Sequence, residues 1–151
     1  MSIHWLITSA PLFIRRPCIR IRHGLRYSTG PTGCIFIHIP KTAGLSISTA
    51  LFGRVGPGHL SMRDYEEAYS QRELSRLFKF TFVRNPWDRL ASAFYYLKTG
   101  GITAEDARFA SRNLATFDSF ESFVLKWVTK ENVSRYWHFI PQTDYFCDGN
   151  G

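Results

Sequence analysis

The chain has 151 residues, 44% of them hydrophobic with 13 phenylalanines, and a net charge of +7. That is enough apolar material for one domain with a buried core, and it excludes a disordered chain. The positive surplus points to an anionic partner, whether nucleic acid, nucleotide, sulfated or uronic glycan, or membrane surface, without choosing among them. Cys18, Cys34 and Cys147 are an odd set without C-x-x-C spacing, which argues against both a disulfide framework and a zinc site. No metal is expected.

Residues 1–33 read as an appended leader and linker without fixed structure. The apolar run at 3–14 falls short of the ~20 residues a membrane helix needs, and Pro11 interrupts it. Arg15 and Arg16 follow this run, whereas a secretory signal carries its charge first. With Arg20, Arg22 and Arg26 they make a basic stretch, either an arm for nucleic acid or anionic membrane or, as expected here, a solvated leader. Ser28-Thr29-Gly30-Pro31-Thr32-Gly33 is a linker by composition. The domain is therefore expected to span 34–151.

The stretch from Cys34 to Ser48 organises the rest. Cys34-Ile35-Phe36-Ile37-His38-Ile39 is a short apolar run of the kind that forms a buried strand, ended by Pro40. Residues 41–44 form a tight turn. Leu45, Ser48/Thr49 and Phe52 then fall at helical spacing over 45–52. The free N–H groups of a first helical turn, with the dipole behind them, make an anion site of such a loop. Lys41 adds a cation, and Thr42, Ser46 and Ser48 add hydroxyls. The pattern is not G-x-x-x-x-G-K-[ST]. The plain alternative is a strand–turn–helix unit with a solvated lysine.

A glycine-rich turn follows at 53–58, and 62–78 is expected to be helical in part, with Leu74, Leu77 and Phe78 at helical spacing. Asp64, Glu66 and Glu67 either support the first turn of that helix or, as expected here, form an exposed acidic face. A second strand is expected at 79–83, rich in aromatic and β-branched residues. Arg84-Asn85-Pro86-Trp87 breaks it, and 88–98 is a helix with Trp87, Leu90/Ala91, Phe94 and Leu97 as its apolar stripe, ended by Gly100-Gly101. Two strand–loop–helix units in succession predict a parallel sheet with helices on its faces. A short helix is expected over 105–112. Another is N-capped by Asp118, with Glu121 three residues on, and buries Phe120, Phe123/Val124 and Trp127/Val128. The aromatic stretch 137–146 is expected to pack across the sheet or the site. Asn132-Val133-Ser134 fits a glycosylation sequon and is read as a chance match.

Arg84-Asn85-Pro86-Trp87-Asp88-Arg89-Leu90-Ala91-Ser92-Ala93-Phe94 fits R-x-P-x-x-R-x-x-S-x-[YF]. Arg84 leaves a strand end, where open α/β sheets bind ligands. Arg89 and Ser92 stand three apart on one helical face. A guanidinium fork with a hydroxyl suits a phosphate dianion.

Pro40-Lys41-Thr42-Ala43-Gly44-Leu45-Ser46 resembles the 5′-phosphosulfate loop of sulfotransferases that use PAPS (3′-phosphoadenosine 5′-phosphosulfate). It is most similar to the carbohydrate branch that includes the heparan and uronyl 2-O-sulfotransferases, with Leu45 where a threonine is usual. The Arg84 motif resembles the 3′-phosphate motif of the same family, in the right order and about 40 residues on. The resemblance covers residues 34–148. It implies an α/β, P-loop-like parallel sheet flanked by helices. It also implies PAPS contacts from Lys41, Thr42, Ala43, Gly44, Leu45, Ser46, Arg84 and Ser92, with Arg89 supporting the loop through Asp88 or a carbonyl. The acceptor implied is a carbohydrate hydroxyl, with no nucleic acid among the partners.

Sulfuryl transfer needs a base for the acceptor hydroxyl, in-line attack, and stabilisation of charge on the leaving phosphate. Lys41 suits the last task. Histidine suits the first. His4 and His23 fall in the leader, and His38 is expected mid-strand, packed or hydrogen-bonded. Gly58-His59-Leu60-Ser61 is similar to the Gly-His-x-Ser segment that carries the base in the 2-O-sulfotransferases, so His59 is favoured. His138, in a segment resembling the substrate side, is second. A P-loop kinase and a non-catalytic anion-binding module are the rival readings. The resemblance implies a further strand after a turn like Gly149-Asn150-Gly151, so a C-terminally incomplete, weakly active domain is expected. The compartment is expected to be cytoplasmic in a prokaryote, or Golgi if the leader is a remnant anchor.

Overall fold

The computed structural model describes residues 33–53, 56 and 58–147, together with residue 16. The expectations for the leader, for its linker and for the closing turn at 149–151 lie outside the described residues. In order, the described elements are β1 (Cys34–Ile37), α1 (Gly44–Phe52), α2 (Met62–Ala68), α3 (Gln71–Leu74), β2 (Phe78–Thr81), α4 (Pro86–Lys98), α5 (Ala104–Asn113), α6 (Phe120–Trp127), α7 (Lys130–Val133) and α8 (Thr143–Phe146). The chain divides into two units, Met1–Phe82 with Gln142–Gly151, and Val83–Pro141. The class is mixed α/β.

The first unit holds the sheet. β1 and β2 pair in parallel, in register from Cys34 opposite Phe78 to Ile37 opposite Thr81. Ile35, Phe36 and Ile37 are buried, as parallel strands usually are. Phe36 stacks on Phe80 at 5.2 Å between ring centroids. The ladder closes where the Thr81 hydroxyl donates to the Ile37 carbonyl at 2.7 Å. Three expectations are corrected by this register. His38 lies just past the strand and not within it; Phe82 and Val83 are exposed beyond β2; and Phe78 opens the strand instead of closing a helix.

Two capping boxes set the helices between the strands. Ser61 N donates to Asp64 Oδ2 at 2.7 Å while Ser61 Oγ accepts from Asp64 N. Ser70 and Glu73 repeat the arrangement. Asp64 is thus the anchor of a helix start and not part of an acidic face. Met62, Tyr65, Ala68 and Leu74 turn inward, and α8 packs on α2 with Tyr145 buried. A cleft of about 570 Å³ opens between these helices and β2, with Glu66, Lys79, Thr81 and Phe146 in its walls.

The second unit is helical around aromatic rings. α4 starts two residues earlier than expected, because Asn85 caps it through Trp87 N and Pro86 takes the first position, where its missing N–H costs nothing. Trp87, in the first turn, is 74% exposed, and the buried face runs through Arg89, Ala93, Phe94 and Leu97. The cap of α6 is Ser119, accepting from Ser122 N at 3.1 Å, and not Asp118. Phe94 and Phe123 meet at 4.8 Å, Phe123 and Trp127 at 5.1 Å, and Phe109 stacks on Tyr136 at 4.0 Å. Each fully buried phenylalanine contributes about 2 kcal/mol of transfer free energy. The stretch 137–146 does not pack as one piece, since Phe139 belongs to this core and Tyr145 to the first unit. Among the described residues no helix is long and apolar enough to cross a membrane.

Candidate active site

Helices α2 to α7 each begin on a side-chain cap, from Ser61, Ser70, Asn85, Thr103, Ser119 and Thr129. α1 begins on Ala43 with no side-chain cap and no acidic residue in its first turn. Its first N–H groups and its positive dipole end are left to a ligand or to water. Ala43 is left-handed at φ 64° and Lys41 at φ 69°, although neither is glycine. Such conformations cost about 1–2 kcal/mol each. A left-handed residue followed by a helical one turns successive N–H groups into one concavity, a main-chain anion cradle.

The expected hydroxyls divide. Thr42 is buried, and its Oγ1 donates to the Ile39 carbonyl at 2.9 Å, so it braces the turn. Ser46 is exposed, as is Leu45, which therefore does not line an apolar stripe. Ser48 is 1% exposed, its hydroxyl has no hydrogen-bond partner, and it faces Gly56 instead of the loop.

Gly44 opens α1 against the His38 ring. A Cβ there would stand 1.8 Å from His38 Cδ2, so only glycine fits. His59 donates from Nδ1 to the His38 carbonyl at 3.2 Å. A carbonyl only accepts, so the neutral His59 ring carries its proton on Nδ1 and its lone pair on Nε2. The two rings meet edge-on, 4.5 Å between centroids and 61° between planes. Burial, and then the neighbouring His59, lower the His38 pKa from 6.5 to about 4. His38 is thus neutral at physiological pH. Lys41, Thr42, Ala43, Gly44, His38 and His59 are brought together within one unit; the cleft beside β2 contains none of them.

The second motif lies in the other unit. Arg84 is exposed, one residue before the cap of α4, and Ser92 is half-buried on that helix. Arg89 is 5% exposed and its Nη1 donates to the Ile140 carbonyl at 2.9 Å. This bond ties α4 to the far end of the same unit.

His138 is buried among the rings of Tyr96, Tyr136 and Trp137, 3.8 Å from Asp106. Sequence reasoning passes over Asp106. It is 2% exposed and accepts from the hydroxyls of Tyr136 and Tyr96 and the N–H groups of Ile102 and Thr103. Burial works against its charge, but the Tyr136 hydroxyl and the Thr103 donors outweigh it and hold the carboxyl at about 2. Burial and the same carboxylate push the Tyr136 and Tyr96 phenols up. His138 is therefore part of a packed structural cluster. The Thr103-x-x-Asp106 spacing of a capping box is the signal that could have found it.

Compared with models of protein families, residues 30–151 match the one described as the sulfotransferase family. The chain belongs to that family, a class of transferases. Neither the curated proteins nor the solved structures contain a match.

Proposed function

We propose that residues 34–151 form a P-loop-like domain that moves a sulfuryl group from PAPS to a hydroxyl of a carbohydrate acceptor. The observation that carries this reading is the uncapped start of α1, where Ala43 and Gly44 cup main-chain N–H groups beside Lys41. These groups, with Leu45 and Ser46 in the same turn, bind the 5′-phosphosulfate. Arg84 and Ser92 bind the 3′-phosphate. His59 Nε2 takes the proton from the acceptor hydroxyl as its oxygen attacks sulfur. The new S–O bond forms as the bond from sulfur to the 5′-phosphate breaks, and 3′,5′-ADP leaves with its added charge held by Lys41 and the α1 N–H groups.

Calorimetric titration tests this. 3′,5′-ADP is expected to bind well above AMP, and Arg84→Ala to weaken it by about 2 kcal/mol while leaving AMP nearly unchanged. Equal affinity for the two nucleotides would remove the assignment.

A further inference from the structure

The His38 side chain has no place in the transfer chemistry just described, yet it touches both of its halves. On one side its ring lies on the main chain of Gly44, the first residue of α1, with no room for even a methyl group between them. On the other it meets the His59 ring edge-on at 4.5 Å. Its own carbonyl fixes the His59 tautomer. Pro40 and Ile39, which follow it, are buried, and Thr42 ties the turn back to Ile39, so the main chain here has little freedom to yield.

We propose that His38 is a positioning residue that couples the phosphosulfate loop to the base, its ring forming the shared wall between Gly44 and His59. An anion settling on the α1 N–H groups draws on the backbone at Gly44. The ring packed against that backbone cannot absorb the shift alone, because close-packed groups transmit displacement. It passes to the His59 ring and with it to Nε2, the atom that meets the acceptor. Neutrality matters as well. His59 has to gain a proton during transfer, and a cation at 38 would oppose that gain. Burial keeps the His38 ring uncharged. This inference rests on the proposed function and adds a residue to it.

The test follows the His59 ring nitrogens by NMR, in the full chain, as 3′,5′-ADP is added. In the unsubstituted chain the His59 signals are expected to move on saturation. In His38→Leu, 3′,5′-ADP is expected to bind with little change, the His59 signals to stop responding, and PAPS turnover to fall by up to about 10²-fold, as for a small misplacement of a reacting group. His38→Phe restores a flat wall and is expected to recover the response, which a general loss of stability would not allow. A His59 that responds equally in His38→Leu overturns the coupling. If His38→Leu does not fold, a His59 signal unmoved by saturating 3′,5′-ADP in the unsubstituted chain overturns it as well. Absence of 3′,5′-ADP binding to the unsubstituted chain is a different result, and overturns the sulfotransferase reading with it.

Discussion

The turn that opens α1 in the unit around β1 and the helix starts of the unit around α4 differ in how their backbone groups are met. In the second, a buried carboxylate at Asp106 collects four donors, Arg89 is seated on the Ile140 carbonyl, and α4 to α7 all carry side-chain caps. In the first, α2 and α3 carry capping boxes, but α1 starts uncapped and two non-glycine residues before it sit left-handed. The uncapped helix start and the left-handed residues gather at one turn, residues 41–44. Proteins break local rules of stability mainly where function requires it, and in this chain the breaks fall on the loop to which the proposed function assigns the donor.

The comparison breaks most easily at Lys41. Lys41→Ala is expected to abolish PAPS turnover with a smaller loss of 3′,5′-ADP affinity, since the charge acts on the transition state. His59→Ala is expected to lower turnover by about 10²–10⁴-fold. Full turnover in either variant, measured by release of 3′,5′-ADP, would separate the strained loop from chemistry altogether.

The second unit should answer in stability instead. Asp106→Ala strips the buried Tyr136 phenol, the half-buried Tyr96 phenol and two N–H groups of their acceptor, and is expected to cost about 3 kcal/mol. Denaturant unfolding reads this, and hydrogen exchange should place the loss within residues 83–141. A variant as stable as the parent would show that the cluster contributes nothing to folding.

Acid separates the units by their titrations. The folded His38 pKa of about 4 lies below the 6.5 of the ordinary side chain, so the unfolded chain takes up that proton first. The stability tied to neutral His38, up to about 3 kcal/mol, is fully present above pH 6.5 and is lost as pH falls through 4. Asp106 is depressed from 3.8 to about 2, so its share, about 2 kcal/mol, persists down to pH 3.8 and is lost only as pH falls through 2. Hydrogen exchange at stepped pH is expected to show the β1 unit loosening first. The reverse order would contradict the burial of His38 as the controlling feature.

The smallest effect is at the brace of the turn. Thr42→Val removes the bond to the Ile39 carbonyl and is expected to cost about 1 kcal/mol in thermal unfolding, with the 3′,5′-ADP site retained.

The loop and its helix are legible because their signals are local: an apolar run, a proline, a glycine and a lysine within a dozen residues. The capping boxes at Ser61/Asp64 and Ser70/Glu73 are equally local, but their acidic residues look like surface charge. At Asp118 and Ser119 two caps compete one residue apart, and the hydroxyl wins. Trp87 shares the helical spacing of Phe94 and Leu97, but it stands in the first turn of α4 and is left in solvent while they are buried. Asp106 is not legible at all. Its burial depends on Tyr96 and Tyr136, 10 and 30 residues away, and only folding makes them neighbours. The contact between Gly44 and the His38 ring is of the same kind, since a glycine that opens a helix reads in sequence as turn chemistry.

The aromatic inventory has a consequence for anyone following this protein by light. The sequence holds four tryptophans. Trp87, Trp127 and Trp137 all fall in Val83–Pro141, and Trp5 lies outside the described residues. The described part of the β1 unit, with the turn at 41–44, His38 and His59, contains none. Among the described residues, intrinsic emission therefore comes from Val83–Pro141, where Trp127 lies against Phe123 and Phe139 and Trp87 stands exposed three residues beyond Arg84. A nucleotide that changes this emission is read first through Trp87, beside the Arg84 motif to which the proposed function assigns the 3′-phosphate, and an unfolding curve at the same wavelengths follows Val83–Pro141.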